Sequence, residues 1–191
     1  MPVCLVIGVP GVGKSTVMEA LRVKYPDKVK IVIYGDYMVE IAKEQGLVRH
    51  RDEMRKLPID IQKDLQEKAA DRIYKESLSF EGVVLVDTHG FIKTPSGFFP
   101  GLPERILKLL NPSFTVLIEA DPKEIASRRA KDKTRERDVE LEGLIKLHQE
   151  LNRMAAVTYA TLTGCNIVII RNEEGKVEKA AEELAKNIGV A

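Results

Sequence analysis

The sequence predicts an α/β fold: a five-stranded, mostly parallel sheet with helices packed on both faces. Two observations predict it. Short apolar runs of strand length alternate along the chain with longer runs whose apolar residues recur at helical spacing, the order expected of strands joined by crossover helices. The first apolar run passes directly into Gly8-Val9-Pro10-Gly11-Val12-Gly13-Lys14-Ser15, a complete G-x-x-x-x-G-K-[ST] loop that opens a helical run. At 191 residues the chain is long enough for one such domain with a substantial core.

Taken in order, Val3-Cys4-Leu5-Val6-Ile7 is a continuous apolar run of the kind that makes a buried strand. A helix is expected from Lys14 to Tyr25, where Val17, Ala20, Leu21 and Lys24 fall on one side. Residues 29–34, 83–87, 114–119 and 166–171 read as the other strands. Further helices are expected over 38–44, 59–76, 103–110, 122–131, 141–162 and 177–188. Asn111-Pro112 stops the helix before it, because the residue preceding proline is pushed out of the helical region. Asp121 caps the next helix, with Pro122 at its first position. In the last helix Val177, Ala180, Ala181, Leu184, Ala185 and Ile188 form one apolar face, and Gly189 ends it. No repeat, low-complexity tract or linker interrupts the chain, so a single domain over 1–191 is expected.

Composition narrows the partners. Thirty basic against 29 acidic residues leave a net charge of +1, with no global field to attract nucleic acid or a membrane surface. Cys4 and Cys165 lie in apolar runs and read as buried thiols, not as a disulfide or metal site. There is no charged-then-apolar leader and no apolar run approaching about 18 residues, so a cytoplasmic protein is expected.

The chemistry starts at the glycine-rich loop. Its glycines let successive backbone N–H groups point at phosphate oxygens, and the helix N-terminus adds partial positive charge there. Gly8, Val9, Pro10, Gly11, Val12, Gly13, Lys14, Ser15 and Thr16 are the candidate ATP-binding residues. Lys14 can reach the β- and γ-phosphates, and the Ser15 hydroxyl can join Mg²⁺. The run Val83-Val84-Leu85-Val86 ends in Asp87, a carboxylate placed to bind Mg²⁺ directly or through its water. No Asn-Lys-x-Asp base-reading tetrapeptide of protein switches occurs, and no Leu-Ser-Gly-Gly-Gln signature of transporter ATPases. A small kinase is the class that remains favoured.

The acceptor is argued from charge. An alcohol acceptor benefits from a general base, for which Asp36 is the one candidate. A nucleoside monophosphate already offers an ionised oxygen, its second pKa being about 6, but needs the repulsion between two phosphate anions neutralised. Planar arginine forks suit that task. The chain supplies arginines in three places: Arg51 and Arg55, the Arg128–Arg137 stretch, and Arg153. Each stretch could instead be a solvated charged face, but the first two follow strands of an open α/β sheet, where ligands collect.

These residues together resemble the archaeal adenylate kinases, a short-lid branch of the P-loop nucleoside monophosphate kinases. The matching segments run in order over nearly the whole chain: Gly8–Thr16, Tyr34-Gly35-Asp36-Tyr37-Met38, Arg51-Asp52-Glu53-Met54-Arg55-Lys56-Leu57 and Val86-Asp87-Thr88-His89. They continue with Lys93-Thr94-Pro95-Ser96-Gly97, Pro100-Gly101-Leu102-Pro103, Thr134-Arg135-Glu136-Arg137-Asp138 and Asn152-Arg153-Met154-Ala155-Ala156. The resemblance implies a P-loop three-layer α/β/α domain and the reversible transfer ATP + AMP ⇌ 2 ADP with Mg²⁺. It implies an AMP pocket made by Gly35, Asp36, Met38, Arg51, Arg55, His89, Lys93 and Thr94, beside a flap at 36–76. It places Lys14, Arg129, Arg135, Arg137 and Arg153 on the transferring phosphates, the last four associated with a short lid at 129–140. It further implies metal coordination by Ser15 and by Asp87 through water, and a homotrimer.

Other readings stay open: a kinase preferring UMP or CMP, an alcohol kinase using Asp36, or a nucleotide-binding module without transfer. The short span between Arg129 and the long helix carries no Cys-x-x-Cys pair, which excludes a large zinc-bearing lid. His89 could touch a phosphate or be a hydrogen-bonded structural histidine, and His148 reads as core or interface.

Overall fold

A computed structural model describes residues 3–94, 97–131 and 142–191. In chain order the elements are β1 (Val3–Ile7), α1 (Lys14–Lys24), β2 (Val29–Ile33), α2 (Tyr34–Glu44), a 3-10 helix (Arg51–Lys56) and α3 (Ile59–Ser79). They continue with β3 (Val83–Asp87), β4 (Phe91–Thr94), β5 (Gly97–Pro100), α4 (Glu104–Leu110), β6 (Phe114–Glu119), α5 (Pro122–Lys131), α6 (Glu142–Thr163), β7 (Asn166–Arg171) and α7 (Val177–Ile188). Five strands form a parallel sheet of order β2-β3-β1-β6-β7.

The two-residue repeat of the strands divides the core. Cys4 and Val6 of β1 pack with Val17, Met18 and Leu21 of α1 and Ala180, Ala181 and Leu184 of α7. Val3, Leu5 and Ile7 pack on the opposite face with Leu65, Ala69 and Ile73 of α3, Ile106 and Leu110 of α4, and Ala155 and Tyr159 of α6. Every residue of β1 is buried because both faces are covered, which is why it reads as an unbroken apolar run. All five strands end at one edge of the sheet. The register sets Val6 beside Asp87, Asp87 beside Ile33, and Glu119 beside Arg171. The loops that follow β1, β2 and β3 are therefore neighbours, the crevice where parallel sheets take ligands.

Several boundaries follow their expected mechanisms. Asp121 Oδ1 accepts from Lys123 N at 2.8 Å, capping α5, and Asn111 ends α4 in the left-handed conformation at φ 44°. One local reading is corrected, and two elements are added to those expected. Tyr34 was expected to close β2; it opens α2 instead, which starts four residues before Met38 with Asp36 in its first turn, where a carboxylate favours the helix dipole. Arg51–Lys56 forms a 3-10 helix, and the two backbone amides that lead into it, Arg49 N and His50 N, donate to the Glu53 carboxylate at 2.6 and 3.3 Å. Residues 91–100 fold into an antiparallel pair that the proline-bearing sequence hid, with Phe91 beside Pro100 and Thr94 beside Gly97. A two-stranded ribbon tolerates Pro100 at its end, where no ladder donor is required.

Candidate active site

The phosphate loop is held by its apolar residues and presents its polar ones. Val9 and Val12 are buried in the core, whereas Ser15 and Thr16 are exposed. Gly13 caps α1 at φ 93°, a conformation that disfavours any side chain. Lys14 is 7% exposed; its Nζ donates to Gly8 O at 3.3 Å and lies 3.5 Å from Asp87 Oδ1. Ser15 Oγ donates to Asp87 Oδ2 at 3.5 Å. The loop after β1 and the end of β3 thus put an ammonium, a hydroxyl and a carboxylate in one cluster. Ser15 and Asp87 supply the hard oxygen donors that suit Mg²⁺, an ion that keeps most of its ligands as water and substrate phosphate.

Neighbouring elements brace this loop. Arg128 of α5 donates from one terminal nitrogen to Val12 O at 3.0 Å and from the other to Asn172 O and Glu124 at 3.1 Å, while its Nε donates to Glu174 at 2.9 Å. Asn172, just beyond β7, donates from Nδ2 to the same Val12 carbonyl at 2.8 Å. Arg129 extends its Nε to Pro10 O at 2.8 Å, so it does lie against the phosphate loop. A wide cleft of about 1050 Å³ opens beside Ser15 and Thr16 and runs between α1 and α7 past Ala20 and Val177.

The second cluster is built on α2, the 3-10 helix and the β4–β5 ribbon. Asp36 accepts a charge-assisted bond from Arg51, whose guanidinium lies over Gly35, 2.7 Å from where a Cβ would stand. Both partners are largely exposed, so the pair contributes little to stability. Met38 is half-buried one turn on. Arg55 lies on the same 3-10 helix as Arg51; its side chain is outside the described part of the structure. Lys93 and Thr94 stand on β4, with Thr94 Oγ1 donating to Gly97 O at 3.0 Å.

His89 lies between the two clusters. It is half-buried and hydrogen-bonded to the Gly8 backbone. Burial, and then the charge of Lys14 with smaller contributions from His148 and Arg51, push its pKa from the ordinary 6.5 down to about 4. His89 is therefore neutral at physiological pH and adds no cation to the site. Because the unfolded chain takes up this proton first, stability should fall as pH drops from about 6.5 to about 4. His89→Gln should flatten that part of a melting-temperature profile; an unchanged slope would remove His89 as its source.

Arg153 stands on α6 and reaches the end of β6, the strand beside β1. It makes a bidentate pair with Glu119 at the end of β6, at 2.6 and 2.7 Å, beside a cleft that also holds Lys146 and Arg171. Arg135 and Arg137 lie outside the described residues. Sequence reasoning passed over Asn172 and Glu119 as site-shaping residues, and it named Arg128 only within a stretch of candidate phosphate-binding arginines, not as a brace of the loop backbone. A polar residue at a strand end or an arginine on a charged helix has no signal of its own until the fold sets it against the loop.

A family model described as an AAA domain matches residues 7–146. The adenylate kinase of Pyrococcus furiosus is 48% identical over 190 residues, covering 99% of this chain and 96% of its own. The adenylate kinase of Methanothermobacter thermautotrophicus is 50% identical over 184 residues, covering 96% and 97%, and that of Methanopyrus kandleri is 49% identical over 187 residues. Among solved structures, a shikimate kinase from Bacteroides thetaiotaomicron superposes with a TM-score of 0.60 at 16% identity over 98% of both chains. A tunicamycin resistance protein from Deinococcus radiodurans superposes with a TM-score of 0.63 at 15% identity, over 100% of this chain and 96% of that one. At such identities these two speak for the fold alone. With near full-length identity of about half to archaeal relatives, and with the phosphate loop, Asp87 and the Arg51 cluster at one sheet edge, the chain belongs to the archaeal adenylate kinases.

Proposed function

We infer that the chain catalyses ATP + AMP ⇌ 2 ADP, a phosphoryl transfer to a phosphate acceptor that balances adenine nucleotides. The observation that carries this reading is the convergence of Lys14, Ser15 and Asp87 at the edge of the sheet that also bears Gly35, Asp36 and Arg51. On this reading a donor site and a separate acceptor site face one crevice. The bond from the γ-phosphorus to its β-bridging oxygen breaks, and a bond from that phosphorus to an AMP phosphate oxygen forms. The acceptor is already ionised at neutral pH, so no general base is required. The pairing of Asp36 with Arg51 supports this over the alcohol-kinase reading, since the guanidinium occupies the carboxylate that a substrate hydroxyl would have to reach.

Within that reading, residues 8–16 hold the ATP phosphates and Lys14 stabilises charge on the transferring group. Arg51, Arg55, Lys93 and Thr94 take the AMP side, with Gly35, Asp36, Met38 and His89 lining the pocket. Mg²⁺, held by Ser15 and by Asp87 through water, would neutralise charge on the donor phosphates. Arg129, Arg135, Arg137 and Arg153 would serve the lid at 129–140, Arg153 exchanging Glu119 for phosphate on closure; the flap at 36–76 and this lid would exclude water during transfer.

Among the described residues no helix is long and apolar enough to cross a membrane. We propose that the enzyme acts in the cytoplasm, without nucleic-acid partners, as a homotrimer, the state that the family resemblance implies. The exposed Met154 and Val157 on α6 and Ile169 on β7 support burial against further copies. A solution mass of one chain, 21.4 kDa, instead of three would remove the trimer.

The reaction is tested with a panel of acceptors and Mg·ATP. AMP-dependent ADP formation should far exceed that with UMP, CMP or small polyols. Turnover with another acceptor and none with AMP would overturn the assignment, and ATP binding without any transfer would favour a nucleotide-binding module.

A further inference from the structure

A buried asparagine braces the donor loop, where it shares the Val12 carbonyl with Arg128, and another braces the acceptor ribbon. Asn172 is 2% exposed; its Nδ2 donates to Val12 O at 2.8 Å, and the amide fills the space beside Gly13 where a Cβ would stand. Asn152 of α6 is fully buried; its Oδ1 accepts from Phe91 N at 3.1 Å, and the amide fills the corresponding space at Gly90. These partners fix both amide orientations, because a carbonyl needs a donor and an N–H needs an acceptor. In each residue the other amide atom, Asn172 Oδ1 and Asn152 Nδ2, is buried with no hydrogen-bond partner among the described residues.

A buried amide that is half satisfied is a poor choice for stability alone, where an apolar side chain of similar size would serve. What each asparagine adds is a bond to the backbone of a residue next to a glycine, Val12 or Phe91, which an apolar side chain cannot make. The two use opposite ends of the same group. Asn172 donates to a phosphate-loop carbonyl and so ties the loop's backbone to the segment just beyond β7. Asn152 accepts from Phe91, the first residue of β4, two residues after His89 and three before Thr94. Its neighbours on α6 complete that anchorage: His148 Nε2 lies 2.9 Å from Phe91 O, and Tyr159 Oη donates to Gly90 O at 3.3 Å.

We propose that Asn172 and Asn152 are the positioning residues of the two half-sites, Asn172 for the ATP phosphate loop and Asn152 for the Gly90–Thr94 wall of the AMP pocket. The proposal rests on the adenylate kinase reading, which assigns those walls to ATP and AMP. Neither residue touches the reacting atoms, so the signature is a separation of the two substrates.

The test compares Asn172→Leu and Asn152→Leu by KM for each nucleotide, by calorimetric binding of each nucleotide alone, and by thermal melting. Loss of one positioning bond should raise the ATP constants of Asn172→Leu by about tenfold and leave its AMP constants within about twofold; Asn152→Leu should do the reverse. Melting temperatures should shift little, because each substitution also removes an unpaired buried atom. Constants that move together in either variant, or that do not move, overturn the proposal. Should a leucine variant fail to fold, the serine variants, too short to reach the loop, carry the same expectation. A wild-type chain that binds AMP without forming ADP would instead sink the reaction reading, while the binding split would remain measurable.

Discussion

Lys14→Met should reduce phosphoryl transfer on the order of 10³-fold, about 4 kcal/mol of transition-state stabilisation, with KM values changed far less. The ammonium is not a loose surface charge. It is 7% exposed, anchored on Gly8 O, and opposed by Asp87 at 3.5 Å, so the protein itself holds it in place. Phosphoryl transfer relies almost wholly on such preorganised charge, since the reaction asks for little covalent chemistry from the protein. Methionine preserves the aliphatic packing and removes the cation, leaving Asp87 short of one partner, so the fold should persist with a modest fall in melting temperature. Steady-state assays in both directions, alongside a melting curve, check it. Turnover near wild type would contradict the role of Lys14, and a chain that no longer melts cooperatively would show that the lysine is needed for the fold.

The second large effect concerns stability. Gly101→Ala should cost about 3 kcal/mol or more, a fall in melting temperature of about 6–12 °C for a chain of this size. Gly101 N donates to Gly90 O at 2.9 Å, and the backbone carbonyl of His89 stands where a Cβ would have to go. Backbone, unlike a flexible side-chain end, cannot step aside. The alanine would pry the base of the β4–β5 ribbon from the loop after β3, and His89, Lys93 and Thr94 would move with it. Acceptor binding should weaken along with stability. Gly143→Ala is the control: it lies in the first turn of α6 with open space around it, so the change should be neutral or slightly stabilising. Equal melting temperatures for the two variants would remove the steric argument.

The phosphate loop was legible because its chemistry is local. Eight consecutive residues between a strand and a helix carry the glycine spacing, the lysine and the hydroxyl, and the geometry needs nothing from afar. The strands were legible for a similar reason, since burial on both faces writes an unbroken apolar run. Asp87 could be named from its place at a strand end. The β4–β5 ribbon was hidden because two short strands separated by Pro95 and Ser96, and closed by Pro100, carry propensities that argue against pairing. Helix α2 started earlier than expected because Gly35 and Asp36 favour turns in isolation, whereas packing of Tyr34 and the Arg51 guanidinium settles them in a first helical turn.

By itself the sequence determined the fold class, the order of the sheet-forming runs, the phosphate loop and the carboxylate that ends β3, each a matter of residues adjacent in the chain. Only the tertiary structure decided which polar groups meet: that Lys14 faces Asp87 across 73 positions, that Asp36 engages Arg51, that Arg153 is held by Glu119, and that Arg128 and Asn172 clasp one carbonyl of the phosphate loop. Periodicity reports how deeply a residue is buried, because burial repeats along a helix or a strand. It carries no record of a partner that register and crossover connections bring from a distant part of the chain.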